Sequence, residues 1–343
     1  MTGTRTRDVV QVGLVGLGRL GRIYAGHLAG TIHETRLTAA ADPDPETFGF
    51  VAERWPETRC YREPEELIQN PSVEAVVIVS PTRTHRQIAE AALSSGKSVF
   101  CEKPLSVTLE DANALRNLVE ESEALFQMGF MRRYDPGYAA AKEKIEGGTL
   151  GRSVMFKSSS RDPYRPSLDY LDPESSGGIF VDMGIHDFDL ALWFMGPVRE
   201  VFSTGGVLVY PEIGQIGDID NAVVSLQFEN GAIGQVDLSR NGIYGYDIST
   251  EILGTEGTIR IGYLRETPIQ VLTENCVSHD TVPYFPQRFK DAYRLQLRDF
   301  ALNVRYRRRP RIQVKDGVEA LRVALAARKS FESNRCVRVD EIQ

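Results

Sequence analysis

The sequence predicts an α/β protein with two domains: a doubly wound parallel sheet over residues 1–129, and an α+β domain with a large, mostly antiparallel open sheet over residues 130–343. Three observations support this prediction. The chain has 343 residues, about twice the length of a typical domain. Strand-like and helix-like segments alternate in the first third, as they do in parallel sheets. Beyond Leu150 the strand-like segments follow one another with hairpin spacing, as in antiparallel sheets.

Charge balance and cysteine usage narrow the class of protein. The 40 Lys and Arg residues against 47 Asp and Glu residues give a net charge of -7, which argues against nucleic acids and anionic membranes as partners. The 4 cysteines are isolated, so neither a disulfide framework nor a zinc site is expected, and no metal is predicted. No apolar run approaches the ~20 residues of a spanning helix, and no signal peptide follows Met1. We therefore expect a cytoplasmic protein with reduced thiols.

The N-terminal domain contains predicted strands separated by predicted helices. Residues 9–15 form a short apolar run typical of a buried parallel strand. Further strands are expected at residues 36–41, 73–79, 98–101 and 125–128. Helices are expected from the glycines after residue 15 to about residue 28, and at residues 44–54, 86–94 and 109–123. This alternation implies right-handed crossovers within one parallel sheet.

The C-terminal domain contains predicted hairpins. Residues 222–228 and 232–238 flank Asn230-Gly231, which is a strong hairpin signal. Residues 247–253 and 258–261 flank a second turn. Helices are expected at residues 138–146, 289–304 and 317–332. The last two helices can cover or brace the sheet, and the change of pattern near residue 130 places the domain boundary there.

Gly16, Gly18 and Gly21 form a G-x-G-x-x-G motif between a predicted strand and a predicted helix. The first glycine permits a tight turn, the second lets a pyrophosphate approach the backbone, and the third lets the helix pack on the strand. Asp42 ends the second strand, where its carboxylate can accept the ribose hydroxyls of NAD and would repel the 2′-phosphate of NADP. The pattern predicts a Rossmann domain that binds NAD. The alternative is a glycine-rich turn without a ligand, with Asp42 as a helix cap.

Lys103 lies in Glu102-Lys103-Pro104, directly after a predicted strand. The carboxyl ends of the strands are where ligands bind in such sheets. A lysine at this edge can donate a hydrogen bond to a substrate hydroxyl and favour its alkoxide. The alternative is a surface Glu/Lys pair at a strand end.

Asp182 and His186 are the candidate acid–base pair. They are four residues apart and share a face if the segment is helical. An acid that orients an imidazole and stabilises its charged form is a standard general-base arrangement. In one alternative Asp182 caps the helix and His186 is a core histidine. In another His186 and Asp189 bind a metal, although no other histidine or cysteine clusters nearby.

Five motifs occur along the chain in a familiar order. They are Gly16-Leu17-Gly18-Arg19-Leu20-Gly21, Asp42, Ser80-Pro81-Thr82 with His85, Glu102-Lys103-Pro104, and Gly177-Gly178 followed by Asp182-Met183-Gly184-Ile185-His186. In order and spacing they resemble the Gfo/Idh/MocA oxidoreductases over nearly the whole chain. Within that family, residues 128–135, 160–163, 185–189 and 244–247 are most similar to the inositol 2-dehydrogenases.

The resemblance implies a role for each site residue. His186 would take the proton of the reacting hydroxyl, Asp182 would orient His186, and Lys103 would hold that hydroxyl and stabilise negative charge on its oxygen. The implied NAD site consists of Gly16, Gly18, Arg19, Leu20, Gly21, Asp42, Ser80, Thr82, His85, Glu102 and Lys103. The candidate contacts to the other ring hydroxyls are Arg133, Asp162, Tyr244 and Tyr246. Each has an alternative role. Arg133 can pair with a surface acid, Asp162 can be a turn residue before Pro163, and the two tyrosines can be ordinary sheet residues.

The activity that the resemblance implies is NAD-dependent oxidation of a cyclic polyol, with scyllo- or myo-inositol converted to an inosose. It also implies a homotetramer packed through open sheet faces. A pyranose 1-dehydrogenase that makes a lactone is the competing enzyme assignment. A non-catalytic NAD sensor and an NAD-dependent glycosidase are two further candidates, and the joint presence of Lys103, Asp182 and His186 counts against the sensor. The preferred stereoisomer and the direction of the reaction stay open.

Overall fold

The computed structural model describes residues 9–343, which divide into two compact units. The first unit contains the described residues up to Phe130 and the segment Tyr293–Val318. The second unit contains Met131–Ala292 and Glu319–Gln343. Each unit is built around its own sheet.

A six-stranded sheet forms the centre of the first unit. Its strands are β1 (Val10–Val15), β2 (Thr35–Ala41), β3 (Arg59–Tyr61), β4 (Ala75–Ile78), β5 (Ser98–Glu102) and β6 (Phe126–Gly129). They lie in the order β3-β2-β1-β4-β5-β6, and every neighbouring pair is parallel. This is the Rossmann order, in which ligands bind at the carboxyl ends of the strands, beside the reversal between β1 and β4. The predicted doubly wound parallel sheet is confirmed.

Helices connect these strands. They are α1 (Arg19–Gly26), α2 (Phe48–Arg54), α3 (Pro64–Gln69), α4 (His85–Ser94) and α5 (Leu109–Glu121). Local sequence sets several of their ends. Thr108 caps α5, because its hydroxyl accepts a hydrogen bond from the Asp111 amide at 3.2 Å. Pro64 occupies the first position of α3, where its missing N–H has no intrahelical partner to lose.

The second unit contains a seven-stranded mixed sheet and a two-stranded ribbon. The strands are β7 (Ser153–Arg161), β8 (Val198–Gly206), β9 (Asn221–Phe228), β10 (Ile233–Ser239), β11 (Asp247–Gly254), β12 (Thr258–Ile261), β13 (Val271–Leu272), β14 (Val277–Ser278) and β15 (Val337–Arg338). The large sheet has the order β12-β11-β7-β10-β9-β8-β15. Only β7 and β10 pair in parallel there, so the predicted, mostly antiparallel sheet is confirmed. Gly231, with φ of +84°, forms the predicted turn between β9 and β10.

Six further helices belong to the described part of the second unit. They are α6 (Pro136–Glu146), α7 (Leu168–Leu171), α8 (Pro173–Ser176), α9 (Ile185–Met195), α10 (Pro211–Gln215) and α11 (Phe285–Arg288). The chain also contains π turns at His27–Thr31 and Ile179–Met183, and 3₁₀ turns at Pro45–Thr47, Thr82–Thr84, Met131–Tyr134 and Val339–Glu341. The π turn before α9 carries Asp182, a predicted site residue.

Two long helices, α12 (Lys290–Tyr306) and α13 (Val314–Ser333), each contribute residues to both units. The sequence predicts both helices but assigns everything after residue 129 to the second domain. The structure instead places Tyr293–Val318 in the first unit. Contacts within that unit explain the difference, since Gln296 Nε2 donates to the Tyr24 hydroxyl at 2.5 Å. Within residues 9–343, no helix has the length and apolar character needed to cross a bilayer.

Candidate active site

The glycine loop after β1 has the geometry of a dinucleotide cradle. Gly16 has φ of +99°, and a Cβ there would lie 2.6 Å from the Val79 carbonyl oxygen. A Cβ on Gly21 would lie 2.0 Å from the Gly16 oxygen, so helix and strand approach this closely only with glycine. A Cβ on Gly18 would meet no described heavy atom within 4 Å, and Gly18 directly precedes α1. The open space over Gly18 and the helix N-terminus therefore suit a pyrophosphate.

Asp42 directly follows β2 and is fixed against this loop. Its Oδ2 accepts a hydrogen bond from the Leu17 N–H at 2.7 Å, and its Oδ1 accepts one from the Asp44 N–H at 3.0 Å. A carboxylate has further lone pairs, which can accept ribose hydroxyls. Its negative charge would repel a 2′-phosphate. The residues of the loop and Asp42 thus fit NAD.

Ser80, Thr82 and His85 follow β4, at the same edge of the sheet. Ser80 Oγ lies 2.7 Å from the Thr84 hydroxyl, and Thr82 begins a 3₁₀ turn. The imidazole of His85 is buried, with Nδ1 2.8 Å from the Pro104 carbonyl oxygen and Nε2 2.9 Å from the Ser80 carbonyl oxygen. Burial lowers the pKa of His85. His85 therefore connects the loops after β4 and β5, and both ring nitrogens contact backbone oxygens.

Glu102, at the end of β5, points into the core of the first unit. Its Oε1 accepts hydrogen bonds from the Tyr24 hydroxyl and, at 3.3 Å, from Gln296 Nε2. Its Oε2 accepts the Lys103 backbone N–H at 3.1 Å. Burial raises the pKa of Glu102. Glu102, a predicted cofactor residue, therefore supports the backbone at Lys103. Lys103 itself is partly exposed, and its peptide bond to Pro104 is cis.

Asp182 and His186 lie in the second unit, in consecutive turns of one helical segment. Asp182 belongs to the π turn Ile179–Met183, which an i→i+5 backbone bond of 2.9 Å closes, and His186 lies in the first turn of α9. Such π turns occur frequently at functional sites. In the stretch 176–191, which the structure describes throughout, His186 alone is partly exposed and every other residue is buried. His186 is therefore the one residue of this stretch that solvent partly reaches, although its Nδ1 atom is buried.

Side chains that the sequence did not single out surround Asp182. The Tyr170 hydroxyl donates to Asp182 Oδ1 at 3.3 Å, and Arg240 Nη2 lies 3.5 Å from Asp182 Oδ2. The same Arg240 nitrogen lies 3.7 Å from Asp218 Oδ2. The negative charge of Asp182 and burial raise the pKa of Tyr170. Asp218 precedes β9 and Arg240 follows β10. The predicted hairpin between these strands therefore already implies that the two residues lie at the same end of the sheet.

Two buried ion pairs connect α9 to the residues after β6. Arg132 Nη1 lies 2.8 Å from Asp187 Oδ1. Arg133 binds Asp189 through two bonds, of 2.9 Å from Nε and 2.5 Å from Nη2. Arg133, a predicted substrate contact, thus forms an ion pair, which was the alternative role considered for it. Asp189, the alternative metal partner of His186, is the acid of that pair.

Asp162, Tyr244 and Tyr246 lie close to the carboxyl end of β7 and the start of β11. Tyr246 is buried, and burial together with the charge of Asp162 raises its pKa. Tyr244 is 42% exposed, and its hydroxyl accepts a hydrogen bond from Arg161 Nη1 at 3.0 Å and donates one to Asp247 Oδ2 at 2.9 Å. Arg161 pairs with Asp247 between β7 and β11, so Asp162 and Tyr246, one residue beyond that pair, lie near each other. Tyr244 lies in a neighbouring surface network.

Further tyrosines extend this group of side chains. The Tyr284 ring lies 5.5 Å from the Tyr246 ring and 4.9 Å from the Tyr164 ring, measured between centroids. Tyr284 also raises the pKa of Tyr170, after the larger effects of Asp182 and burial. No sequence motif pointed to Tyr284, since its place follows from long-range packing. Rings of this kind combine an apolar face with a polar hydroxyl, which suits a ring polyol.

Two family models match the chain. The model described as the NAD-binding Rossmann fold of the Gfo/Idh/MocA oxidoreductase family matches residues 10–130. The model described as the C-terminal alpha/beta domain of the same family matches residues 142–339. The chain belongs to the Gfo/Idh/MocA family of oxidoreductases. The resemblance found in the sequence motifs is thereby confirmed.

Similar proteins of this family match over nearly their full length. The myo-inositol 2-dehydrogenase of Thermotoga maritima is 40% identical over 336 residues, which cover 97% of this chain and 99% of that protein. The NAD(+)-dependent scyllo-inositol 2-dehydrogenase of Bacillus subtilis is 38% identical over 337 residues, 96% of each chain. A crystal structure of scyllo-inositol dehydrogenase from Lactobacillus casei with bound NAD(H) and scyllo-inositol has a TM-score of 0.91 and 31% identity, and covers 97% of this chain and 99% of that chain.

Membership of the Gfo/Idh/MocA family confirms several predictions. The first unit is an NAD-binding Rossmann domain, so NAD is the cofactor, and the chain is an NAD-dependent dehydrogenase. Family membership by itself does not assign the roles of individual residues, which depend on their geometry in this chain.

Proposed function

We propose that this member of the Gfo/Idh/MocA family oxidises a cyclic polyol, with scyllo- or myo-inositol as the leading substrate and an inosose as the product. The observation that carries the proposal is the partial exposure of His186 on an otherwise buried segment, one turn after Asp182. Relatives at 40% and 38% identity are named inositol 2-dehydrogenases, which supports this substrate class.

The chemistry requires two transfers from one carbon–oxygen unit. A proton leaves the hydroxyl oxygen and a hydride leaves its carbon, so that a carbonyl forms. His186 takes the proton as general base, and Asp182 orients the ring and stabilises its charged form. When bound on the glycine loop and Asp42, NAD supplies the hydride acceptor. The protein's contribution is to hold these groups in a reactive arrangement.

Lys103 completes the proposed catalytic set from the first unit. It stands at the carboxyl end of β5, where Glu102 supports its backbone N–H. Its ammonium donates a hydrogen bond to the reacting oxygen and stabilises the negative charge that develops there. The lysine is a fixed point charge in this role, and its proton need not be transferred.

The other ring hydroxyls are bound by Asp162, Tyr246 and Tyr244 in this proposal. The strand register places the first two near each other, and the Tyr244 hydroxyl contacts Arg161 and Asp247 at the surface. Arg133 acts indirectly, because its ion pair with Asp189 fixes α9. A carboxylate and phenols can accept and donate the hydrogen bonds that several equatorial hydroxyls require.

We also propose a cytoplasmic homotetramer. One face of the large sheet carries exposed apolar side chains, namely Val223 on β9, Ile233 on β10 and Leu253 on β11, which is typical of a covered sheet face. All 4 cysteines are unpaired, as a reducing compartment would keep them. Sedimentation equilibrium tests the tetramer, and Val223→Glu is expected to shift the mass toward smaller species.

The activity test is NADH formation from NAD with myo-inositol, scyllo-inositol, and D- and L-pyranoses. We expect turnover on at least one of the two inositols. Turnover confined to pyranoses would replace the inositol assignment with a sugar 1-dehydrogenase. NAD binding by calorimetry without NADH from any polyol would contradict the dehydrogenase proposal and favour a sensor or an NAD-recycling glycosidase.

A further inference from the structure

The Arg240 guanidinium lies between two carboxylates in the interior of the second unit. Nη2 is 3.5 Å from Asp182 Oδ2 and 3.7 Å from Asp218 Oδ2. The exposed side-chain fractions are 1% for Arg240, 12% for Asp182 and 6% for Asp218. One cation therefore serves two acids where little water can screen them, which leaves the three groups with a net negative charge when both acids are ionised.

Strand register brings these residues together. In the β9–β10 hairpin Ser239 pairs with Asn221, so Arg240 and Asp220 continue the two strands side by side. The Arg240 N–H donates to the Asp220 carbonyl oxygen at 2.9 Å. The position of the guanidinium thus depends on the sheet rather than on a mobile loop.

Asp218 connects the arginine to the π turn that carries Asp182. Its Oδ1 accepts the Ile179 N–H, the first amide of that turn, at 3.1 Å. A Cβ on Gly178 would lie 2.8 Å from the same oxygen, so only glycine admits the carboxylate there. Burial raises the pKa of Asp218, while Arg240 and the Ile179 amide oppose that rise. The glycine motif, Asp218, Arg240 and Asp182 therefore form one connected arrangement.

This arrangement does not have the geometry of an ion pair optimised for stability. The Arg132–Asp187 pair of the same unit closes at 2.8 Å, whereas Arg240 keeps longer distances to both acids. Within residues 9–343, Arg240 Nε is a buried donor without a hydrogen-bond partner, which is unfavourable for stability. The shared guanidinium therefore contributes the positive charge nearest to the Asp182 and Asp218 carboxylates among the described contacts.

We propose that Arg240 and Asp218 are positioning residues that set the ionisation and orientation of Asp182, and through it the proton affinity of His186. The inference rests on the proposed function, because it takes Asp182 as the partner of His186. The titratable and charged groups shown next to Asp182 include Tyr170, Arg240 and Asp218. His186 lies four residues further along the same segment. Arg240 lowers the proton affinity of the acids and of the imidazole, and Asp218 raises it.

The two residues are therefore expected to move the pH profile in opposite directions. Arg240→Met removes the cation, so the acidic limb of kcat/KM should move to higher pH by about one unit. Asp218→Asn removes a negative charge but keeps an oxygen for the Ile179 N–H, so the limb should move to lower pH. Arg240→Lys retains the charge and should return the limb toward the wild-type position, with a lower plateau.

The profiles are measured with the best polyol, alongside His186→Ala and calorimetric titration with NAD. One outcome would overturn the roles of Arg240 and Asp218 alone. In it, the acidic limb of kcat/KM stays at the wild-type pH in both Arg240→Met and Asp218→Asn, while His186→Ala is inactive. Full activity in His186→Ala would instead overturn the proposed function. If Arg240→Met does not fold, Asp218→Asn decides: a limb at lower pH supports the proposal, and an unmoved limb overturns it.

Discussion

Arg132 and Asp187 form an ion pair that is almost completely removed from solvent. Nη1 and Oδ1 are 2.8 Å apart, and the side chains are 2% and 0% exposed. The Ser158 and Ser160 hydroxyls also donate to the Asp187 carboxylate, at 2.5 Å and 2.7 Å. Since Asp187 directly follows His186, this pair fixes the helical turn that presents the imidazole.

Removal of the arginine should be costly. Arg132→Met leaves the Asp187 carboxylate buried without its counter-ion, so the free energy of unfolding should fall by about 3–5 kcal/mol. Urea denaturation measures the change. Arg165→Met is the control, because the Arg165–Glu212 pair is 30% and 32% exposed and should contribute less than about 1 kcal/mol. Equal losses in the two variants would show that burial of the Asp187 pair has no special effect.

The glycines before the π turn offer a second test. Gly178 and Gly96 have nearly equal φ angles, +72° and +71°, but a Cβ at Gly178 would meet Asp218 while one at Gly96 would meet no described heavy atom within 4 Å. Gly96→Ala should therefore destabilise by backbone strain alone, about 1–2 kcal/mol. Gly178→Ala should add a steric cost of about 1–3 kcal/mol and lower kcat/KM, because Asp218 must move.

Thermal denaturation and steady-state kinetics measure both variants. A Gly178→Ala enzyme that matches Gly96→Ala in stability and keeps wild-type kcat/KM would refute the steric role assigned to Gly178. The two glycines share a positive φ, but Gly178 has ψ of −173°, a conformation restricted essentially to glycine. The loss of stability in Gly178→Ala therefore combines backbone strain with the Asp218 contact, and kcat/KM is the reading that reports the displacement of Asp218.

Local pattern predicted much of the first unit. The apolar run that forms β1, the glycine loop and Asp42 are close together in sequence, and each carries its own physical signal. The strand β3 was missed because Arg59–Tyr61 is short and half-exposed, without an apolar period. The assignment of Tyr293–Val318 to the first unit was missed because it depends on contacts such as Gln296 with Tyr24.

The candidate site was predictable to a similar extent. Asp182 and His186 were visible because they stand four residues apart in one segment. Tyr170, Asp218 and Arg240 were not, because their proximity to Asp182 depends on sheet register and on loops distant in sequence. The register of β9 against β10 could have been predicted, because the Asn230-Gly231 turn between the two strands constrains it.

The buried carboxyl of Glu102 predicts a specific pH dependence of stability. Burial raises its folded pKa above the ordinary value of 4.5. The native state then binds more protons than the unfolded state above pH 4.5, so stability falls as pH rises through the folded pKa. Glu102→Gln removes this titration, and its free energy of unfolding should decline less than that of the wild type over the same range.

Urea unfolding at a series of pH values above 4.5 measures this difference. Glu123→Gln, at an exposed position in the same unit, is the matched control and should follow the wild-type curve. Parallel curves for Glu102→Gln and the wild type would mean that Glu102 does not titrate differently on folding.

Asp42 should decide between the two nicotinamide cofactors. Asp42→Ala removes the proposed acceptor of the ribose hydroxyls and the negative charge that would repel a 2′-phosphate. We expect kcat/KM with NAD to fall by roughly tenfold to a hundredfold, as for a lost hydrogen bond to a charged group, while use of NADP increases. Initial rates with each cofactor measure the ratio, and an unchanged preference for NAD would remove Asp42 as the discriminating residue.

The role of His186 as the general base of a polyol dehydrogenase can be tested by a single comparison. NADH formation from the best inositol substrate is measured for the wild type, His186→Ala and His279→Ala. His279 is exposed in the second unit and outside the site, so its variant should retain wild-type rates. We expect His186→Ala to lose about 10²–10⁴-fold in kcat while NAD binding, measured by calorimetry, persists. Turnover by His186→Ala at the wild-type rate would contradict the proposed mechanism.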